Sequence, residues 1–418
     1  MKKRFSHIVL VLFLFGFFLL SAANPKDSLL IKIKNSKNDS VKCLLLMELI
    51  DSETDNTVWP KYNEQLKLIS EKGVLSEHSA TKQFYLKMYS SYLINTGYYK
   101  ESVGDFKGAL FDYRKALEIK LDINDKKGVT NALINLGFLY QSVADYKTAV
   151  KYYNRVLKSQ EDEGDKNNAA ATLLNLASIF IAQKDSARFL ELINRSLEYR
   201  KEINDRKGMA NCYNSLSVIY GNSADKQKAK EYLLKALRLN LEISNLDGLG
   251  NTYNNLGGLY SKMGDQEKAL EYYNLGLKVN QQIKDERATS TSLHQMANIY
   301  GLRGDHKKSK SLYEEALKIA QKGGGISQVQ AAAFGLSKTY KVLGMTKESE
   351  LMFDLYTKMK DSLEKKVDIK LDDTFVIEDS ANTAVQVQPP PTHKTGGRKV
   401  QCSFNYSFCS GNFNGITS

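Results

Sequence analysis

The chain has 418 residues and a formal charge of +12, with 42% hydrophobic and 25% charged residues. This balance is that of a folded protein and excludes disorder along the whole chain. Only five prolines occur, none of them between Pro60 and Pro389, so long uninterrupted helices are possible. The positive charges are dispersed among nearly as many carboxylates, so we expect no nucleic-acid partner.

The first 23 residues have the pattern of a secretory signal. Lys2, Lys3 and Arg4 precede an apolar run over residues 8–20, and small residues follow at 21–23. The run is short for a membrane helix, which needs about 20 apolar residues. We therefore expect cleavage near Asn24 and export to the periplasm or the outside of a bacterial cell, with an uncleaved anchor as the alternative. No other membrane segment is predicted.

Residues 24–80 are predicted to form a divergent helical cap. Within them, residues 40–72 look like a degenerate copy of the repeat that dominates the rest of the chain. Terminal repeats often diverge because one of their faces meets water instead of a neighbouring repeat.

A period of 40 residues then brings the same residue types into register. Aspartates stand at Asp105, Asp145, Asp185, Asp225, Asp265 and Asp305. Leucines stand at Leu117, Leu157, Leu197, Leu237, Leu277 and Leu317. Small residues stand at Gly137, Ala177, Ser217, Gly257, Ala297 and Ser337. Chance does not hold several columns in register over such a length.

Each period contains two predicted helices, because its apolar residues recur every three to four positions. The aspartate between the two helices is a good N-cap for the second. Glycine precedes it in Gly104-Asp105, Gly264-Asp265 and Gly304-Asp305 and is predicted to end the first helix.

These columns resemble the tetratricopeptide repeat (TPR) family. In one period the family signature is matched by Leu136, Gly137, Tyr140, Ala149, Tyr153 and Val156. The usual period is about 34 residues, and the longer form is similar to that of kinesin light chains and bacterial peptide-sensing regulators. The resemblance implies an all-α fold, a right-handed superhelical α-solenoid, with about seven repeats over residues 81–360. We expect the extra six residues to lengthen the second helix and its turn.

Asparagines recur on the first helices, which line the concave face in this family. The candidate peptide-binding residues are Asn95, Asn131, Asn135, Asn175, Asn211, Asn251 and Asn255. An amide both donates and accepts hydrogen bonds, which suits it to the backbone of an extended peptide. The alternative is that these amides bond to neighbouring helices and only support the fold.

The sequence contains no recognisable catalytic or metal site. No two histidines have ligand spacing, and Gly323-Gly324-Gly325 lacks the lysine that a phosphate loop requires. The four cysteines Cys43, Cys212, Cys402 and Cys409 show no paired spacing. We therefore predict no enzyme activity, no cofactor, no metal and no disulfide framework.

The repeat ends near residue 360. Residues 361–395 read as a helical extension followed by a proline-rich linker, and residues 396–418 as a disordered tail that contains no Asp or Glu. One hypothesis is that this tail is out of frame and that a membrane helix and an output domain followed in the intact gene.

The most direct interpretation is a non-catalytic scaffold that binds a protein or an extended peptide. The alternative is the extracytoplasmic sensory domain of a truncated histidine kinase or transcriptional regulator.

Overall fold

The computed structural model describes residues 25–53, 58–223, 225–323 and 325–364. These residues form seventeen helices and no strand, which confirms the all-α class. The first six helices are α1 (Pro25–Asn35), α2 (Asp39–Ser52), α3 (Trp59–Val74), α4 (Ser79–Ser102), α5 (Phe106–Asp122) and α6 (Lys126–Ser142). The next six are α7 (Tyr146–Asp162), α8 (Lys166–Ala182), α9 (Ser186–Glu202), α10 (Arg206–Asn222), α11 (Lys226–Glu242) and α12 (Leu246–Lys262). The last five are α13 (Gln266–Gln282), α14 (Glu286–Leu302), α15 (His306–Lys322), α16 (Ile326–Val342) and α17 (Thr346–Glu364).

The 40-residue period is divided into two equal halves. From α5 to α16 every helix has 17 residues and begins 20 residues after the previous one. The expectation that the extra residues lengthen the second helix and its turn was therefore wrong, because both helices of a repeat have the same length.

Aspartate side chains cap the helices at these regular starts. The predicted caps on the second helices are confirmed: the Asp105 carboxylate accepts from the Gly108 N–H at 2.9 Å and the Asp265 carboxylate from the Lys268 N–H at 3.1 Å. First helices are capped in the same way by Asp125, Asp165, Asp205 and Asp285. One carboxylate therefore satisfies a free N–H at the start of every helix from α5 to α15 except α12.

The described residues that precede these caps adopt the left-handed conformation that ends the preceding helix. The predicted glycine stops are confirmed, with φ of +88° at Gly104, +86° at Gly264 and +82° at Gly304. Residues with side chains adopt the same conformation at Asn124, Ala144, Lys184, Asn204, Ser244 and Lys284. Each of these non-glycine positions carries a conformational cost that glycine would avoid.

The described residues fall into two compact units, which divide between Tyr140 and Gln141. In the first unit, α2, α3 and α4 enclose a core that includes Leu46, Trp59, Leu66 and Met88. Gly97 lies against the ring of Tyr113, where an added Cβ would come within 2.5 Å of the ring. This contact explains why the column of small residues is needed between the two helices of a repeat.

The second unit begins at Gln141 and contains the core residues of α8 to α16. One cluster joins Phe189, Ile193, Cys212 and Leu216, and a larger one runs from Ala229 to Tyr340. Phe189 stands where most repeats have alanine, and it is 2% exposed within its cluster. Each repeat therefore buries its apolar residues against the next one, as expected of a solenoid.

Several sequence predictions lie outside the described residues. They are the secretory signal, the proline-rich linker and the tail. The domain boundaries at residues 80 and 360 also stay predictions. Among the helices that the structure describes, none combines the length and the apolar character needed to cross a membrane.

Candidate functional site

The asparagine columns of the second unit lie on its first helices, α8, α10, α12 and α14. Residues four apart share one side of a helix, so Asn211 and Ser215 lie together on α10, as Asn251 and Asn255 do on α12. We call this surface the amide face. It comprises Asn175, Asn211, Ser215, Asn251, Asn255, Thr291 and Gln295. Asn211 and Asn251 are exposed and the other five are half-buried.

A layer of buried hydrogen bonds lies beneath the amide face and joins neighbouring first helices. The Asn214 amide on α10 donates to Thr252 Oγ1 on α12 at 3.0 Å. Thr252 Oγ1 also accepts from the amide of Asn240 on α11 at 3.1 Å. These side chains are at most 8% exposed, so each buried polar group is satisfied by another.

The same arrangement recurs one repeat later. Ser292 Oγ on α14 donates to Asn254 Oδ1 on α12 at 2.8 Å and accepts from the Asn280 amide at 3.3 Å. Helices α10, α12 and α14 also pack directly side by side. Short side chains therefore fix the spacing of the first helices that carry the amide face.

The four asparagines of the face are not used in this way, although Gln295 Oε1 accepts from the Asn298 amide at 3.3 Å. Within the described parts of the chain, the side chains of Asn175, Asn211, Asn251 and Asn255 have no hydrogen-bond partner. The amide columns thus separate into a deeper layer that supports the fold and an outer layer with free donors and acceptors. This arrangement can bond to a ligand without breaking any bond of the protein.

The other three predicted residues lie in the first unit. Asn95 donates to Asn63 Oδ1 at 3.0 Å, and Asn63 in turn donates to the Tyr92 carbonyl at 3.2 Å. Asn95 therefore supports the packing of α3 against α4. Asn131, exposed, and Asn135, half-buried, lie on α6 and bond to no side chain in the described segments.

Four amides with a structural role were missed by the sequence analysis. Asn214 and Asn254 stand 40 residues apart, and so do Asn240 and Asn280. Their periodicity was visible, but it does not distinguish a buried amide from an exposed one.

The family model of the tetratricopeptide repeat matches residues 128–202, 227–282 and 248–322, and a second model of the repeat matches residues 210–242. The chain contains tetratricopeptide repeats. The comparison with curated proteins found no match.

Three solved TPR structures illustrate the shared fold. The Rap conjugation gene regulator of plasmid pLS20, solved with the Phr* peptide, has 13% identity and a TM-score of 0.54 over 82% of this chain and 96% of its own. The apo form of the quorum sensor NprR from B. thuringiensis has 17% identity and a TM-score of 0.53 over 80% and 92%. Yeast Tom70 has 15% identity and a TM-score of 0.58 over 79% and 65%. The predicted TPR solenoid and its likeness to bacterial peptide-sensing regulators are confirmed.

Two other kinds of site, a metal centre and a reactive thiol, find no support in the described TPR helices. No group of three His, Cys, Asp or Glu side chains in these helices is placed to hold a metal ion. Cys43 and Cys212 are buried free thiols, and burial raises the pKa of the Cys43 thiol to about 11. A thiol with so high a pKa is a poor nucleophile.

Proposed function

We propose that this chain is a binding scaffold whose amide face holds an extended segment of a peptide or protein. The observation that carries the proposal is the row of unpaired amides on side-by-side first helices. Each amide can donate to a carbonyl and accept from an N–H of a peptide backbone. Because the helices are fixed by the bonds beneath them, a ligand meets a preorganised surface and the ordering cost is small.

The test begins with a library of random dodecapeptides displayed on phage and selected on the full chain. Synthetic copies of enriched peptides are titrated by fluorescence anisotropy against the wild type and the triple variant Asn211→Ala, Asn251→Ala and Asn255→Ala. We expect the triple variant to weaken binding by about tenfold or more, since each lost amide removes about 0.5–1.5 kcal/mol.

The matched control removes three amides from second helices. Asn154, Asn194 and Asn274 occupy one column on α7, α9 and α13, away from the amide face. Their combined change to alanine is expected to leave the affinity within about twofold of the wild type. Equal affinity of both triple variants and the wild type would refute the amide face as the binding site.

We also propose that the chain is exported and acts outside the cytoplasm. The support is the signal-like pattern of residues 1–23. N-terminal sequencing of the protein purified from its own bacterial host should find Asn24 or a residue close to it as the first residue. A protein that keeps Met1 in the cytoplasmic fraction would refute export.

A second candidate is the sensory domain of a signal-transduction receptor. It is supported by the TPR fold shared with a quorum sensor and with a gene regulator solved in complex with a peptide. Sequencing the gene across codon 397 and translating all three frames past the stop tests this candidate. A continuing frame with a membrane helix and a kinase or DNA-binding domain would favour it, and its absence would favour a free scaffold.

A further inference from the structure

Four first helices of the second unit, α8, α10, α12 and α14, contain almost no charge. Residues 168–182, 208–222, 248–261 and 288–302 include no Asp, Glu, Lys or Arg, in a chain in which 25% of residues are charged. These ranges cover α8, α10, α12 and α14 except for residues at their ends. The charges of these repeats lie on the second helices and at the helix ends.

Burial alone does not explain this neutrality. Asn211 and Asn251 are exposed, and a solvated lysine or glutamate would cost nothing at such a position. Second-helix positions of similar exposure are charged, as at Glu191 and Glu271. Neutrality is therefore a property of the amide face itself.

Ion pairs neutralise three of the charges at the N-terminal edge of the face, whereas Lys207, Asp247 and Arg287 in the same first turns form none within the described residues. Each pair joins the first residue of a first helix to a second-helix residue 36 positions away. The pairs are Lys166 with Glu202, Arg206 with Glu242 at 3.4 Å, and Glu286 with Lys322 at 2.6 Å. Such paired charges add little net field over the amides beside them.

The one histidine of these first helices is also uncharged at neutral pH. His294 lies on α14 with its ring edge-on to Tyr313, the ring centroids being 5.3 Å apart. Burial lowers the pKa of this imidazole to about 4. No formal charge therefore lies on α8, α10, α12 and α14 between the first turn of each helix and its last residue.

We propose that the amide face selects an extended peptide segment whose bound residues are uncharged. This inference rests on the proposed peptide-binding function and specifies the chemical class of its ligand. The amides hold the backbone, and the neutral surroundings exclude both acidic and basic side chains. A buried charge of either sign would lose its hydration here and find no partner of opposite charge.

The first test uses a synthetic peptide enriched on the wild-type chain and its charge variants. One central residue is changed to Lys in one variant and to Glu in another, and the terminal residue is changed likewise as the control. We expect both central changes to weaken binding at least about tenfold and both terminal changes to alter it less than about twofold. Raising NaCl from about 0.05 M to 0.5 M should change the wild-type affinity less than about twofold.

The second test places a charge on the face. Asn251→Asp should restore at least about tenfold of the affinity for the Lys-substituted peptide and weaken binding of the Glu-substituted one further. Asn274→Asp, on the second helix α13, is the matched control and should alter neither affinity. Circular dichroism confirms that both variants remain helical.

The outcomes separate this inference from the function on which it rests. If the wild type binds one charged variant as tightly as the parent peptide, the neutral-ligand inference is overturned and the amide face stands as a binding site. If no enriched peptide depends on Asn211, Asn251 and Asn255, the proposed function itself is overturned.

Discussion

The free amides of Asn211, Asn251 and Asn255 make a prediction about stability as well as binding. Within the described chain these side chains form no hydrogen bond, so their change to alanine removes none. Alanine also has the higher helix propensity. We expect the triple alanine variant to match the wild type in urea unfolding or to exceed it by up to about 0.5 kcal/mol per residue. A loss of several kcal/mol would mean that these amides support the fold.

The deeper amides should behave in the opposite way. Asn240 is fully buried and donates to Thr252, while its own oxygen accepts from the amide of Asn245 at 2.8 Å. Asn240→Ala is therefore expected to lower the free energy of unfolding by about 1–3 kcal/mol. An unchanged urea midpoint would contradict the role of the buried layer.

His294 predicts a pH dependence of stability. Its pKa is lowered from 6.5 to about 4 in the folded protein by burial, and its Nδ1 atom bonds to no described residue. Below pH 6.5 the His294 imidazole is therefore protonated in the unfolded chain but stays neutral in the folded chain. The free energy of unfolding falls as the pH is lowered toward 4. The full loss is at most about 3 kcal/mol.

Urea unfolding at pH 7.0, 5.5 and 4.5 tests this dependence in the wild type and in His294→Leu. Leucine occupies the equivalent position at Leu174. We expect the variant to lose less stability than the wild type between pH 7.0 and 4.5. Identical pH profiles would show that this imidazole is not buried as described.

The difference between Asn211 and Asn214 shows what the sequence could not reveal about individual residues. Both are amides on α10, and both belong to a column repeated 40 residues later. Asn214 is buried because it meets Thr252, which lies 38 residues further along the chain. That contact depends on how consecutive first helices pack, and the repeat pattern does not specify it.

The helix ends were predicted well where glycine precedes aspartate and poorly elsewhere. Gly264-Asp265 is recognisable because glycine is the usual residue where a helix ends in the left-handed conformation. Lys284 adopts the same conformation with φ of 58° before Asp285, although lysine gives no such signal. The 20-residue spacing of the aspartates from Asp105 to Asp305 carries the missing information, since it marks every helix start in that range except the one at Asn245.

Two substitutions test the positive-φ residues that end the helices, and a third serves as the control. Gly264 has φ of +86° and no atom within 4 Å of an added Cβ, so Gly264→Ala tests backbone strain alone. We expect it to lower the free energy of unfolding by about 1 kcal/mol, and Lys284→Gly to raise it by up to a similar amount. Gly258→Ala, inside α12, is the control and should raise stability by about 0.5–1 kcal/mol. Destabilisation by all three would point to packing instead of backbone conformation.

The whole repeat array was the most predictable part of the molecule. Several columns in register define the helix pairs, because each repeat can bury its apolar face only against a neighbour. The division between Tyr140 and Gln141 was not predicted, since no column of the repeat is interrupted there.

A bound peptide should stabilise the array without remodelling it. Helices α10, α12 and α14 are already joined by side-chain hydrogen bonds. An enriched peptide at 100 times its Kd should therefore raise the free energy of unfolding by about 2.7 kcal/mol. The far-UV circular dichroism should stay unchanged, whereas a large gain in helix on binding would contradict a preorganised face.

Site-specific photo-crosslinking tests the central claim most directly. A photoreactive benzoylphenylalanine replaces Asn251 on α12 in one variant and Asn274 on α13 in another, and each is irradiated with an enriched peptide. The amide-face account predicts a crosslinked peptide at position 251 and none at position 274, as read by mass spectrometry. Crosslinking at position 274 but not at 251 would show that the peptide binds the second helices, and would contradict the account.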